Sequence, residues 1–339
     1  MAAGGLHDRD PDLAQAIAQV GHRADAVAEI VLVERLLVEE RDGKIVVISP
    51  IADTPAEAQP SRQDDLQAET WAQPAEARDS GFMDDLSIDT QPAFEDTEPM
   101  SSDWQRLRDA ITPRTRLIFI NSPHNPSGAL LSRADLDQLA ALIRDRDIYL
   151  ISDEVYEHLV FDGAEHASVL AHDELYARAL VVSSFGKTYH VTGWKTGYVV
   201  APSVLSAELR KIHQYVNFCG VTPLQHALAD FMAEHPQHIA ELPAFYQAKR
   251  DLFCDQLAGS RFTFTRSPGT YFQLADYSAI RPDLDDVAMA EWLTREHGVA
   301  AIPVSVFYQS APEDMRQVRF CFAKREETLR QAAEKLSAV

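Results

Sequence analysis

Three polar side chains stand just beyond three apolar runs. Asn125 follows RLIFIN (116–121), Asp153 comes directly after IYLIS (148–152), and Lys187 lies just past ALVVSS (179–184). Runs that are apolar throughout suit strands covered on both faces, as in a parallel α/β sheet. Such sheets bind ligands beyond the carboxyl ends of their strands. Together the three residues would offer an amide, a carboxylate and an amine to one small molecule. Each also has a plainer role. A lysine is usually a solvated surface charge, Asp153 suits a helix N-cap, and Asn125 beside Pro126 and Gly128 suits a turn. Their common placement is what points to a site.

The elements that must position them can be read from periodicity. A helix follows the asparagine loop, with Ser132 and Asp135 spaced as a capping box and Leu136, Leu139, Ala140 and Ile143 on one face. Beyond GYVVAP (197–202) lie long helical stretches near 203–217 and 222–258. A mixed region follows, with a helix near 286–297, a strand at VRFCFA and a final helix over 325–337. These read as a smaller C-terminal α/β domain. Near the N-terminus, PDLAQAIAQV and AVAEIVLVERLLVEE suggest a helix or two across 11–40, and KIVVIS (44–49) one strand. From Pro50 to about Ser102, Ala, Asp, Glu, Gln, Pro, Ser and Thr dominate. Such a stretch buries too little apolar surface to offset chain entropy and reads as a disordered linker. The expected division is an N-terminal segment 1–50, an acidic linker 51–102, a large-domain portion 103–225 and a small domain 226–339.

Composition narrows the function. The chain has 339 residues, a net charge of -21 and 46% hydrophobic residues. Residues 1–100 hold 22 acidic and 7 basic side chains, against 30 and 24 in the remainder. The acidity disfavours nucleic acid and anionic membranes as partners. No run of apolar residues is long enough to span a bilayer, and MAAGGLHDRD lacks the layout of a signal peptide. The cysteines Cys219, Cys254 and Cys321 are scattered and odd in number, as in a reducing, cytoplasmic setting. They are expected to be buried small hydrophobes. No P-loop, GxGxxG or HExxH is present, and the histidines form no ligand cluster.

NSPHNPSG (121–128), SDEVYEHLVF (152–161), SSFGKTYHVTGWKTGY (183–198) and VRFCFAK (318–324) together resemble the class I/II aminotransferases over about residues 103–339. GTYFQLADY, EHGVAAIPVSVFY and HQYVNFCGVTPLQHALADFM are closest in wording to the methionine and kynurenine/aromatic group. The resemblance implies the fold-type I architecture of pyridoxal-phosphate (PLP) transferases, with a mostly parallel sheet in the large domain. It implies PLP as cofactor, an amino acid and a 2-oxo acid as substrates, and a homodimer. Lys187 would hold the cofactor and carry protons as general acid and base. Asp153 would pair with the ring nitrogen. Tyr156 and Asn125 would hydrogen-bond the ring's 3-oxygen. Ser184 and Lys195 would bind the phosphate, and Arg319 would grip the substrate α-carboxylate with two parallel hydrogen bonds. Tyr156 also fits as a core residue, and Lys195 as another exposed lysine. With no second arginine evident, a neutral amino acid is the expected donor. His124 and His190 would flank the site without a catalytic role.

The family's N-terminal half normally supplies a glycine-alanine phosphate loop, a ring stacked on the pyridine and much of the dimer contact. Here no tyrosine precedes Tyr149. Only GHRADA (21–26), with the strand-like run after it, echoes the phosphate loop. Three readings stay open: an active aminotransferase with a diverged N-terminal region, a truncated or frame-altered relative with little activity, and a non-catalytic ligand-binding or interaction protein. An exposed sheet edge is expected where strands are missing.

Overall fold

Apolar runs of five or six residues form the centre of the protein, and helices cover both of its faces. The computed structural model describes residues 29–31, 37–41, 44–48, 101–308 and 311–339. Strands β1 (Glu29–Val31), β2 (Leu37–Arg41) and β3 (Lys44–Ile48) come first, followed by helix α1 (Ser101–Ala110). Strand β4 (Leu117–Asn121), helix α2 (Arg133–Ile143) and strand β5 (Tyr149–Asp153) follow. Next come α3 (Asp173–Tyr176), β6 (Ala179–Ser184), the single turn α4 (Phe185–Thr188) and β7 (Gly197–Ala201). The central sheet has the order β1-β7-β6-β5-β4.

Strands β4, β5 and β6 are parallel; β7 is antiparallel to β6, and β1 is antiparallel to β7 at the other side. The sheet is thus mixed, with its parallel part under the predicted site. Neighbouring residues of β5 show why an unbroken apolar run was needed. Leu150 packs with Leu139 and Ile143 of α2 on one face, and Ile151 packs with Leu180 and Val199 on the other. That second face is covered by Leu209 of α5 (Ser203–Val216). The predicted capping box at Ser132 and Asp135 forms, and the buried Asp135 also accepts from Trp104 Nε1 at 3.1 Å, which docks α1 onto α2.

The predicted helix over 222–258 is two helices, α6 (Thr222–Glu234) and α7 (His238–Leu257), separated at Pro236, which cannot donate to a continuing helical ladder. A second sheet, in the order β8-β10-β9, is built from β8 (Phe272–Asp276), β9 (Ile302–Pro303) and β10 (Gln317–Cys321). Helices α7, α8 (Asp286–His297) and α9 (Glu326–Ser337) pack on it through Phe253, Leu257, Met289, Leu293 and Leu336.

Two expectations near the N-terminus need correction or restriction. Residues 29–31 and 37–41 are extended, where a helix was predicted. β1 pairs with the outer edge of β7, where an open sheet edge offers its backbone a ladder of hydrogen bonds. The KIVVIS strand is present as β3 and pairs with β2. The helix over 11–20 and the GHRADA echo lie outside the described residues, as does the linker expected over 51–102 except for its last two residues, which are helical and begin α1. Of the cysteines, Cys254 is buried and Cys321 half-buried, but Cys219 is exposed on the turn after α5, so burial does not explain it. Among the described residues, β4 is an edge strand with Phe119 59% exposed, in keeping with the expected open edge.

Two loops lock the sheets together. Gly128 has φ +78°, and a Cβ there would sit 1.8 Å from Ser267 Oγ and 2.6 Å from the Gly269 carbonyl oxygen. Gly163 has a similar φ of +74° but open space around it. Gly163→Ala should therefore cost only the left-handed backbone penalty, about 1–2 kcal/mol. Gly128→Ala should add overpacking of about 1–3 kcal/mol more. Urea unfolding of the two variants tests this, and equal costs would show that the loops are not tightly interlocked.

Candidate active site

Strand register brings the site together. In the parallel ladder, Asn121 lies opposite Asp153, and Asp153 opposite Val182, two residues before the end of β6. The carboxyl ends of β4 and β5 are therefore level, β6 runs two residues further, and the loops carrying Asn125, Asp153 and Lys187 leave from the same side of the sheet. Asn121 is a brace that periodicity alone did not single out. Its Nδ2 donates to the Asp153 carbonyl at 2.9 Å, and its Oδ1 accepts from Asn125 N–H at 2.8 Å. The loop between them includes two cis peptide bonds, Ser122–Pro123 and Asn125–Pro126.

Lys187 lies on α4, with its Nζ 5.9 Å from the centre of the Tyr156 ring. Tyr156 is buried and meets the edge of Tyr271 at 5.2 Å between ring centres. Burial foremost, and then the neighbouring Tyr271, hold its phenol well above the usual range. Asp153 accepts one hydrogen bond, from Val155 N–H at 3.2 Å, but residues 155–158 form a turn and no helix follows, so this contact braces a turn and the expected helix-cap role is not met. Burial pushes its carboxyl up to about 6, and the negative charge of Glu154 adds to this. The hydrogen bond from Val155 and the cation of Lys187 pull the other way.

Arg319 approaches from the second sheet. Val318 and Phe320 turn into the core, so Arg319 faces the opposite way, as strand alternation requires. Its Nη1 donates to Asn125 Oδ1, a contact across 194 positions of sequence. The guanidinium lies 3.9 Å from the centre of Phe272 and 5.1 Å from that of Phe307. Its Nε is buried without a hydrogen-bond partner among the described residues. A fixed cation with an unused donor suits an incoming carboxylate.

Lys187, Tyr156, Asp153, Asn125 and Arg319 thus meet in one region. The predicted phosphate pair is less closely joined to it. Ser184 caps α4 by accepting from Gly186 N–H at 3.1 Å. Lys195 is exposed at φ +55°; its backbone N–H donates to the Thr192 carbonyl at 3.4 Å, and its ammonium makes no hydrogen bond or ion pair among the described residues. Both stand beside the lysine turn, because Gly186 packs against Thr192, whose hydroxyl donates to the Gly186 carbonyl at 3.1 Å. His124 contacts Ser127 Oγ at 2.8 Å, and burial lowers its pKa to about 4. His190 is exposed, with Nδ1 3.0 Å from Tyr246 Oη, beside a cavity of about 570 Å³. A cavity of about 620 Å³ lined by Arg108, Gln138 and Arg146 contains none of the site groups.

The donor set fits PLP on the side the described residues build. A desolvated carboxylate with one hydrogen bond suits a cationic ring nitrogen, an amine stands nearby for a carbonyl carbon, and a phenol and an amide are at hand for the ring oxygen. Tyr271, Phe272 and Phe307 were not singled out from sequence. Their aromatic character was visible, but strand position alone does not say which rings face a site.

Comparison with known proteins agrees with this geometry. Residues 91–336 match the family described as aminotransferase class I and II. The methionine aminotransferase of Escherichia coli K12 is 53% identical over 234 residues, covering 69% of this chain and 60% of the relative. Rat kynurenine–oxoglutarate transaminase 1 is 34% identical over 275 residues, covering 74% and 65%. A solved Escherichia coli structure, described as having a methionine aminotransferase function, superposes with a TM-score of 0.69 at 50% identity, covering 74% of this chain and 64% of that one. The chain therefore spans less than two thirds of the length of these relatives.

The raised Asp153 carboxyl makes a stability prediction. Its protonated form is favoured in the fold, so ionisation costs stability as pH rises from about 4 through about 6, and the full cost persists above that. Asp153→Asn keeps an acceptor for Val155 and removes this cost. Without cofactor, it should stabilise the chain by on the order of 2 kcal/mol near pH 7.5 and have little effect near pH 4. Thermal or urea unfolding at the two pH values is the check, and a gain independent of pH would contradict the assignment.

Proposed function

The chain belongs to the class I and II aminotransferases, and on that premise we propose that it moves the amino group of a neutral amino acid, of methionine or aromatic type, to a 2-oxo acid. The observation that carries this reading is the meeting of Arg319 and Asn125 beside the Tyr156, Lys187 and Asp153 group. A carboxylate-gripping cation next to an amine and a buried acid is what transamination of an amino acid requires. Phe272 and Phe307 beside Arg319 favour an uncharged donor side chain.

In this reading, PLP supplies, when bound, a ring that draws electrons from the substrate α-carbon. Asp153 holds the ring nitrogen in its cationic form. Tyr156 and Asn125 donate to the 3-oxygen, and Ser184 and Lys195 take the phosphate. Lys187 would hold the cofactor through its amine, and the same amine is placed to carry the substrate's α-proton. Arg319 orients the substrate through its α-carboxylate. Residues 103–225 act as the cofactor-binding portion and 226–339 as the small domain. The working form is a homodimer in the cytoplasm, a setting consistent with three free cysteines.

The alternative reading is a chain that keeps these motifs but loads the cofactor poorly. Adding PLP to the purified chain separates the two. The active reading expects the long-wavelength absorption of lysine-bound cofactor, lost in Lys187→Ala, and its absence from the parent rejects that reading. Arg319→Ala should weaken the amino-acid substrate by roughly 10- to 100-fold, the value of hydrogen bonds to a charged group, with cofactor loading unchanged. Equal loss of loading would make Arg319 structural.

A further inference from the structure

A buried polar cluster stands directly behind Asp153, and the chemistry above makes no use of it. Consecutive residues of a strand leave opposite faces, so Ser152 and Glu154 turn away from the side on which Asp153 lies. Both are 1% exposed. Three donors converge on the Glu154 carboxylate: Ser152 Oγ at 2.8 Å, Val169 N–H at 3.0 Å and His166 Nε2 at 2.8 Å. The Glu154 N–H donates to the Val182 carbonyl at 2.8 Å, which fixes the turn to β6. Burial lowers the His166 pKa, but the hydrogen bond and charge of Glu154, with the charge of Glu157, outweigh it, and the net shift is upward. Glu157 itself accepts from Ser183 Oγ at 2.6 Å and Tyr198 Oη at 2.8 Å.

A purely structural turn would be served by neutral groups, since burying a charge is costly unless it is fully partnered. Here a partnered carboxylate is kept one residue from the acid that would face the ring nitrogen. In a low-dielectric interior its field reaches that position. We propose that Glu154, compensated in part by His166, is a positioning residue that holds the Asp153 turn and strengthens the site's selection of a cationic ring nitrogen over a neutral ring. This rests on the cofactor reading given above. His166 acts against Glu154, so the two residues set the selectivity in opposite senses.

The test compares binding of PLP with that of the analogue in which the ring nitrogen is replaced by C–H, both followed by absorbance at about pH 6 on the full chain. The readout is the ratio of the two dissociation constants, which a general loss of packing leaves unchanged. The parent should prefer PLP, and Asp153→Asn should lose that preference. Glu154→Gln should reduce it by about tenfold, with affinity for the analogue nearly constant. His166→Gln, which keeps the acid and removes its cation, should raise the preference several-fold, and it serves as the test if Glu154→Gln does not fold. An unchanged ratio in both variants, or a fall in His166→Gln, overturns the proposal. Equal weakening of both ligands in Glu154→Gln also overturns it, because Glu154 would then only hold the turn. A parent that binds neither compound overturns the cofactor reading, and this proposal with it.

Discussion

The parallel pairing of β4, β5 and β6 is the constraint on which the site depends. Its register sets Asn121, Asp153 and Val182 level across three strands. A slip of one residue in any strand would turn its side chains to the other face. Asp153 would then exchange places with Ser152, which carries no acid, or with the longer Glu154, and the present placement of a carboxyl near Lys187 would be lost. The apolar residues that hold the register, Leu150 toward α2 and Ile151 toward α5, are thus as necessary to the site as the polar ones.

The site also needs a second support. Arg319 reaches Asn125 only because the asparagine loop and the loop over 267–270 interlock at Gly128 and Gly269, neither of which has space for a side chain. Arg250 strengthens the same junction. Buried within α7, it donates to the Ser267 carbonyl at 2.9 Å and pairs with Asp162. Arg319 and the asparagine loop are therefore held together by backbone contact as well as by long flexible side chains.

The site places charged and polar groups where the fold would be more stable without them. Asp153 sits desolvated with a single hydrogen bond, and Arg319 keeps a buried donor without a partner. Both are costs for a protein standing alone. In the proposed function, a cationic ring and a carboxylate would offset these costs. Glu154, by contrast, is met by three donors in the interior behind them.

Local patterning was enough to settle much of this protein. The strands over 117–121, 149–153 and 179–184, the capping box at Ser132 and the family motifs holding Asn125, Asp153, Tyr156, Lys187 and Arg319 all follow from residue type and spacing. Periods, caps and turns are properties of adjacent residues. The mixed direction of the sheet, the extended state of residues 29–31, the brace from Asn121 and the rings of Tyr271, Phe272 and Phe307 around the site were decided by tertiary structure. The Arg319–Asn125 bond and the Glu154–His166 pair belong with them. These contacts join residues whose separation in sequence bears no relation to any local period, so only the packing of sheet on sheet could select them.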